Sequence, residues 1–223
     1  MPAKPRLVLS PLTALVVALV VLGAAVPGTV SAAGHRSQGP AGHGTTSGSD
    51  TSVFVVGDSI TRLGTRALRA RGLQWQVDAH GGRPVTSLGW VLGDRLQRGP
   101  APRVVVAALG ANARPGWDPV TGYRSMIAQL PATTTVVFVS VYRNPAYFTA
   151  RVARKRPDWN PRYSYAYTRA MHQVAAGRPH TCVAPWRPWA KAHRGNLTGG
   201  VHPHRHGRTA WARIVARTVA SCH

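Results

Sequence analysis

The chain has 223 residues, 44% of them hydrophobic, enough for one α/β domain with a substantial core and short appendages. Lysine and arginine outnumber the acidic residues 28 to 6, for a formal net charge of +22, and every acid is an aspartate. No nucleic-acid-binding motif accompanies this charge, which argues against a dedicated DNA- or RNA-binding protein. The charge favours anionic partners such as acidic cell-wall polymers or extracellular polysaccharide, although arginines scattered over a solvated surface would account for it equally well.

Residues 1–33 are expected to form a secretory signal peptide. Lys4 and Arg6 form a basic start, Leu12–Val26 is almost purely apolar, and small residues up to Ala33 supply a cleavage point. An uncleaved membrane anchor is the alternative, but the apolar run is short for a bilayer span. The sequence therefore predicts a secreted, extracellular or cell-wall-associated protein, with no membrane segment once the signal peptide is removed.

A flexible linker rich in Gly, Ser and Thr is predicted over residues 34–51, followed by one domain over 52–223. Five short apolar strands are predicted in it, at Ser52–Val56, Trp75–Ala79, Arg103–Leu109, Thr134–Val141 and His180–Ala184. Helices are expected at Ile60–Arg71 and Thr86–Gln97, from Asp118-Pro119, from Asn160-Pro161, and over Gly207–Ser221. Mostly apolar strands that alternate with helices predict a parallel sheet covered on both faces, a three-layer α/β/α domain.

Four residues with chemical potential follow these strands or lie in the last loop. Ser59 follows the first strand, Gly82 the second and Asn112 the third, while His202 precedes the final helix. Because the carboxyl ends of parallel strands meet at one edge, these residues are expected to gather there. Ser59 would be the nucleophile and His202 its base. The Asn112 side-chain amide and the backbone N–H groups of Ser59 and Gly82 would form an oxyanion hole for acyl transfer.

The same four segments resemble, in order, the sequence blocks of the SGNH (GDSL-type) serine hydrolase superfamily. They read Gly57-Asp58-Ser59-Ile60, Gly81-Gly82-Arg83, Leu109-Gly110-Ala111-Asn112 and Gly200-Val201-His202-Pro203. The resemblance covers nearly all of Val53–Cys222. It implies a flavodoxin-like sheet of five parallel strands and esterase, lipase or carbohydrate-ester chemistry, with the four residues in the roles given above. No cofactor is expected.

One position departs from the superfamily pattern, which has an aspartate three residues before the histidine where this chain has Gly199. Loss of the orienting carboxylate from a Ser-His-Asp triad can lower the rate by around 10⁴. Either a backbone carbonyl near Gly199 or a distant aspartate orients His202, leaving a working Ser-His dyad, or the domain binds rather than cleaves. Asp58 is expected to cap the turn rather than reach His202. The dyad is the leading interpretation.

The two cysteines, Cys182 and Cys222, are a candidate disulfide in an exported chain, the alternative being two buried free thiols. Histidines alternate at 202, 204 and 206, a spacing that could attract a metal ion. Without carboxylates nearby, no metal site is predicted there.

The polar insertion Tyr142–Asn160 follows the fourth strand and is expected to lie over the active edge. Its arginines interleave with Tyr142, Tyr147, Phe148 and Trp159, which suits an anionic polymer with sugar rings, or equally a solvated lid without specificity. Farther along, two tryptophans at 186 and 189 could line a substrate pocket, but core packing is the better interpretation.

The leading functional hypothesis is a secreted serine esterase that hydrolyses small acyl esters, such as O-acetyl groups on a cell-envelope or extracellular polysaccharide. One alternative is an O-acyltransferase, in which a sugar hydroxyl replaces water as the acceptor. Another is a non-catalytic cationic module that binds wall polymer through a degenerate site.

Overall fold

The computed structural model describes residues 50–223, with side chains from Ser52 onward. The predicted signal peptide and nearly all of the predicted linker lie outside the described residues. Five parallel strands form the central sheet in the order β2-β1-β3-β4-β5. Their bounds are β1 Asp50–Gly57, β2 Trp75–Ala79, β3 Val104–Ala108, β4 Thr135–Val139 and β5 Thr181–Ala184.

Helices cover both faces of this sheet. They are α1 Ser59–Arg69, α2 Leu88–Gln97, α3 Pro119–Ile127, α4 Ala150–Lys155, α5 Pro161–Ala176, α6 Trp186–Ala192 and α7 Arg205–Ser221. Helix α1 packs against α7, and α3 packs against α2 and α5. The predicted three-layer α/β/α architecture with a five-stranded parallel sheet is confirmed.

The strand order places the predicted site residues at one edge of the sheet. The central strands are nearly continuous apolar runs because they are buried on both faces, as Val55, Val106 and Val137 are. Gly57 stands level with Ala79 of β2 and Ala108 of β3, so the segments after these three strands emerge side by side. The chain reverses its direction of winding between β1 and β3, the switch point where open α/β sheets bind ligands.

The structure differs from the sequence-based prediction between β5 and α7, where a plain loop was expected. This segment contains α6 and a small antiparallel hairpin of β6 (Leu197–Thr198) and β7 (His202–Pro203). Two-residue strands are too short to show any hydrophobic period, so tertiary contacts decide them. Trp186 is buried and Trp189 stacks on it with ring centroids 5.0 Å apart, in agreement with core packing.

The insertion after β4 is also more ordered than a polar loop. It contains α4 between two single 3₁₀ turns, Pro145–Tyr147 and Pro157–Trp159. Each of these turns begins at a proline, whose fixed φ suits the first helical position. Among residues 50–223, no helix is both long and apolar enough to cross a bilayer.

A disulfide joins the last strand of the sheet to the end of the chain. Cys182 lies in β5, Cys222 follows α7, and their Cα atoms are 5.9 Å apart. The bridge pins α7 to the edge of the sheet.

Candidate active site

A capped helix start presents Ser59 at the carboxyl edge. Asp58 is buried and its carboxylate accepts a hydrogen bond from the backbone N–H of Ile60 at 2.9 Å, which caps α1. The side chain of Asp58 is thus used in the turn, as the sequence predicted. Gly57 is required there because a Cβ would collide with the side chain of Thr61. Ser59 is the first residue of α1, where backbone N–H groups have no partner within the helix.

The β6–β7 hairpin delivers His202 to this serine. Gly199 and Gly200 form its turn with φ values of +57° and +71°, and the N–H of Val201 donates to the carbonyl of Thr198 at 3.3 Å. The left-handed conformation at both glycines lets the chain reverse within the three residues between β6 and β7. As a result, Ser59 Oγ lies 2.9 Å from His202 Nε2, across 143 residues of sequence.

The surroundings of His202 are cationic. Its ring is half-buried, and burial lowers the pKa of His202 below its ordinary value, with further lowering by the positive charges of Arg143 and Arg62. Nδ1, the nitrogen that an aspartate would hold in a triad, makes no hydrogen bond within the described part of the chain. His202 is therefore a neutral imidazole that can accept the Ser59 proton.

The aspartates are engaged elsewhere. Of the five whose side chains the structure describes, three pair with arginines at 2.7 Å and two cap helices. The pairs are Asp78–Arg83, Asp94–Arg98 and Asp158–Arg156, and the caps are Asp58 on α1 and Asp118 on α3. None of these five carboxylates supplies the missing partner of His202.

The structure brings the expected oxyanion donors to the same edge. Asn112 is buried, and its Nδ2 donates one hydrogen bond to the carbonyl of Arg83 at 3.2 Å, which leaves its second amide N–H available. Gly82 has a φ of +73° and open space where a Cβ would stand. Within residues 50–223, the backbone N–H groups of Gly82 and Ser59 donate to no protein acceptor. These groups can therefore bind an oxyanion.

The sequence reasoning missed Arg143, which holds the loop of Asn112. Its Nε and Nη2 donate to the carbonyl of Ala111 at 2.9 and 2.8 Å. Arg143 lies shortly after β4, so the strand-end argument that found Asn112 could have found it as well. It was not singled out because the insertion carries so many arginines. His204 and His206, which the metal hypothesis weighed, are exposed at the start of α7.

Arg83 is a second residue whose role only the structure reveals. It is buried and donates through Nη1 to the carbonyl of Asp78 at 2.9 Å and through Nη2 to its carboxylate at 2.7 Å. The carbonyl of Arg83 in turn receives Asn112 Nδ2. The glycine block and the asparagine block are thus tied into one rigid support.

No protein-family model matches the chain, and no curated protein sequence matches it. Solved structures do. The C-terminal catalytic domain of peptidoglycan O-acetyltransferase A from Streptococcus pneumoniae, solved with a methylsulfonyl adduct, matches with a TM-score of 0.60 at 21% identity, over 78% of this chain and 93% of that one. A carbohydrate esterase family 3 protein from Talaromyces cellulolyticus matches with a TM-score of 0.54 at 16% identity, over 75% of this chain and 95% of that one. A lipolytic G-D-S-L family protein from Veillonella parvula matches with a TM-score of 0.58 at 13% identity, over 76% of this chain and 98% of that one.

These similarities establish the class to which the fold belongs. The domain has the SGNH (GDSL-type) hydrolase fold, with a flavodoxin-like strand order and the site at its β1/β3 switch point. The fold expected from the four sequence blocks is confirmed.

Proposed function

We propose that the protein is a secreted serine esterase that hydrolyses small acyl esters with a Ser59–His202 dyad. The observation that carries the proposal is the 2.9 Å approach of Ser59 Oγ to His202 Nε2 at the switch point. Unpaired amide donors stand at the same edge, as acyl transfer requires. The two side chains come from opposite ends of the domain, so the fold holds them together.

In the proposed mechanism, neutral His202 carries its proton on Nδ1 and accepts the Ser59 proton on Nε2 as Oγ attacks the ester carbonyl. The oxyanion is held by Asn112 Nδ2 and the N–H groups of Ser59 and Gly82. His202 then gives its proton to the leaving alcohol oxygen as the C–O bond breaks. A water molecule attacks the acyl-enzyme, His202 takes its proton, and Ser59 regains it as the acid leaves.

The sequence and the neighbours in fold support a proposal for the substrate and the location. Two of these act on carbohydrate or peptidoglycan according to their names, and we propose O-acetyl groups on a cell-envelope or extracellular polysaccharide as the substrate class. The net charge of +22 supports an acidic polymer. The apolar N-terminal run supports export by a cleaved signal peptide. Edman or mass-spectrometric analysis of the secreted protein should find a mature N-terminus near Ala33.

Substitution of Ser59 tests the proposal. Ser59→Ala removes the nucleophile, and we expect turnover of 4-nitrophenyl acetate to fall by about 10³-fold or more. Turnover by His202→Ala should fall by a similar factor, because the two residues act as one unit. His204→Ala, an exposed neighbour on the same segment, is the matched control and should retain full activity. Unchanged turnover in Ser59→Ala would remove the proposal.

Acyl transfer is the second candidate, favoured by the fold likeness to the pneumococcal O-acetyltransferase domain. It uses the same acyl-enzyme and differs only in the acceptor. Product analysis with 4-nitrophenyl acetate and an oligosaccharide acceptor separates the two, since a transferase yields acetylated sugar in place of acetate.

A non-catalytic wall-binding module is the alternative that Gly199 keeps open. Such a module would not react with a fluorophosphonate probe, whereas a working dyad labels at Ser59. Labelling of the wild type beside Ser59→Ala distinguishes a catalytic site from a binding site without any assumption about the substrate.

A further inference from the structure

A cavity of about 170 Å³ lies between the β4 insertion and the turn that precedes His202. It is lined by Arg143, Asn144, Tyr147, Phe148, Val152, Trp159, Gly199 and Gly200. At about 30 Å³ for each water in the liquid, it has room for several waters or for a small polar group with part of a ring. Neither the proposed nucleophile nor the proposed base forms its wall, but the wall includes the hairpin glycines shortly before His202.

The cation in this wall is buried and makes no close ion pair among the described residues, although the charges of Asp58 and Asp158 act on it from farther away. Arg143 is 9% exposed, and its only hydrogen bonds within the described residues go to the neutral carbonyl of Ala111. No described carboxylate lies within 4.0 Å of its guanidinium. Burial lowers the pKa of Arg143 to about 10, so it remains charged at neutral pH. A buried charge is costly unless an opposite charge meets it, and three of its five N–H groups are still available.

The aromatic wall carries a second unsatisfied group. Trp159 contacts two guanidinium groups, those of Arg143 at 4.8 Å and Arg156 at 4.1 Å from its ring centroid. Its Nε1 is buried and has no hydrogen-bond partner. Arg156 is already neutralised by Asp158 at 2.7 Å, so Arg143 is the cation that a ligand in this cavity would meet. Aromatic side chains beside one charged donor are typical of a ligand pocket.

The opposite wall is open at the position where the superfamily has its aspartate. A Cβ at Gly199 would have no atom within 4 Å. Gly199 is exposed and lines the same cavity as Arg143, so a side chain at this position would start from the wall of that cavity.

We propose that this cavity is an anion subsite that binds a carboxylate on the alcohol part of the ester, as in an O-acylated acidic sugar. The inference rests on the proposed esterase function and adds the class of alcohol that the site selects. The guanidinium of Arg143 binds the carboxylate, and Tyr147 and Trp159 contact the ring that carries it.

The bound carboxylate also has a consequence for the base. The charge of Arg143 lowers the pKa of His202, and an anion beside Arg143 offsets that charge. The imidazolium that forms when Ser59 is deprotonated is then stabilised. The substrate thereby supplies part of the negative charge that an aspartate supplies elsewhere in the superfamily, while the proton still moves only between Ser59, His202 and the leaving oxygen.

A pair of esters of the same shape tests the subsite. We expect the wild type to hydrolyse 4-acetoxybenzoate with a kcat/KM about tenfold or more above that for 4-acetoxybenzamide, as for a charge-assisted hydrogen bond. Arg143→Gln keeps an amide donor for Ala111 and should reduce this ratio to near one, whatever it does to the neutral ester. Arg151→Gln, an exposed arginine of the same insertion, should leave the ratio unchanged. A ratio near one in the wild type, with both esters hydrolysed, overturns the subsite and leaves the esterase intact.

Gly199→Asp provides an independent arm because it tethers a carboxylate in the open space. Aspartate tolerates the left-handed conformation better than most residues. We expect the variant to hydrolyse the neutral ester faster than the wild type and to lose its preference for the acidic one. Binding of 4-hydroxybenzoate against 4-hydroxybenzamide to Ser59→Ala, followed by tryptophan fluorescence, tests the subsite without turnover. Equal affinities there would overturn it even if no ester were hydrolysed.

Discussion

His202 is the residue on which the proposed chemistry depends, and its surroundings are unlike those of a complete triad. Two cations act on it, and none of the five described aspartate side chains contacts it. The base is therefore neutral over a wide pH range but weaker than one with an aspartate behind it.

The pH dependence of turnover follows from this lowered pKa. The base must be neutral to act, and a lowered pKa keeps it neutral to more acidic pH. We therefore expect kcat/KM for 4-nitrophenyl acetate to be flat through neutrality and to fall only below pH 6.5, the ordinary pKa of histidine. Asp58 also titrates near this range, with a pKa of about 6. The fall in kcat/KM at acidic pH should persist in Asp58→Asn. If the fall disappears in this variant, it is caused by Asp58 and not by His202.

Asp58 itself is expected to weaken the fold at neutral pH. Burial raises its pKa from 3.8 to about 6, so the folded state binds a proton that the unfolded chain has released. The contribution of Asp58 to the free energy of unfolding is therefore fully present below pH 3.8 and is lost as the pH rises through about 6. The loss amounts to about 3 kcal/mol at most. Asparagine keeps the cap to Ile60 without the charge. Asp58→Asn should thus raise the free energy of unfolding at pH 8 and change it little at pH 4.

Urea unfolding at the two pH values measures this effect, and Asp118→Asn is the matched control. Asp118 is an exposed cap whose pKa is lowered by hydrogen bonds from Thr121 and Val120. The contribution of Asp118 to the free energy of unfolding has the opposite sign. It stabilises the fold at pH values above its unfolded pKa, and this stabilisation is lost as the pH falls through its lowered folded pKa. A stability loss at pH 8 in Asp58→Asn would contradict the assignment.

At the scale of elements, the contact between α1 and α7 supports the helix that carries Ser59. Gly64 of α1 faces the buried ring of Trp211 in α7, and a Cβ at this position would overlap that ring. The small residue allows α1 to lie close to α7. Since Ser59 begins α1 and His202 lies three residues before the start of α7, this contact also helps to hold the two side chains near each other.

Gly64→Ala should therefore destabilise the protein although alanine is the better helix former. Overpacking costs about 1–3 kcal/mol, which exceeds the gain in helix propensity of about 1 kcal/mol. Gly93→Ala in α2 is the matched control, because its Cβ would meet only the flexible end of Gln129. Thermal unfolding should show a lower Tm for Gly64→Ala and an unchanged or higher one for Gly93→Ala. Equal shifts would mean that the α1–α7 contact adapts freely.

At the scale of the whole molecule, the site and the disulfide occupy opposite edges of the sheet. Cys222 shares a cavity with Ser52, Val104 and Thr135, at the amino ends of β1, β3 and β4. The dyad stands at the carboxyl ends of the same sheet. The disulfide and the candidate site therefore lie at opposite ends of the strands.

Removal of the disulfide should lower stability without changing turnover by the folded protein. The bridge spans 40 residues, and a loop of that length corresponds to about 4 kcal/mol in the chain-entropy account. Cys182→Ser with Cys222→Ser, compared with the wild type in urea, measures the loss, and reducing agent should not affect the double variant. A large fall in kcat of the folded double variant would show instead that the bridge supports the site.

Much of this domain follows from local sequence. Strand positions were predictable because buried parallel strands are short, continuous apolar runs, and the order of Ser59, Gly82, Asn112 and His202 along the chain indicated one edge of one sheet. Helix caps and proline positions depend on neighbours in sequence. The sequence could therefore predict the start of α5 at Asn160-Pro161 and the role of Asp58 as a cap.

The tertiary structure decided what depends on contacts distant in sequence. The β6–β7 hairpin, the support of Asn112 by Arg143, and the open space at Gly199 each join segments that no local pattern relates. The 2.9 Å approach of Ser59 to His202 is of the same kind. The residue types of the candidate site were therefore in the sequence, because they follow strand ends or lie in the last loop. The positive charge around His202 could come only from packing, because Arg62 and Arg143 belong to separate segments of the chain.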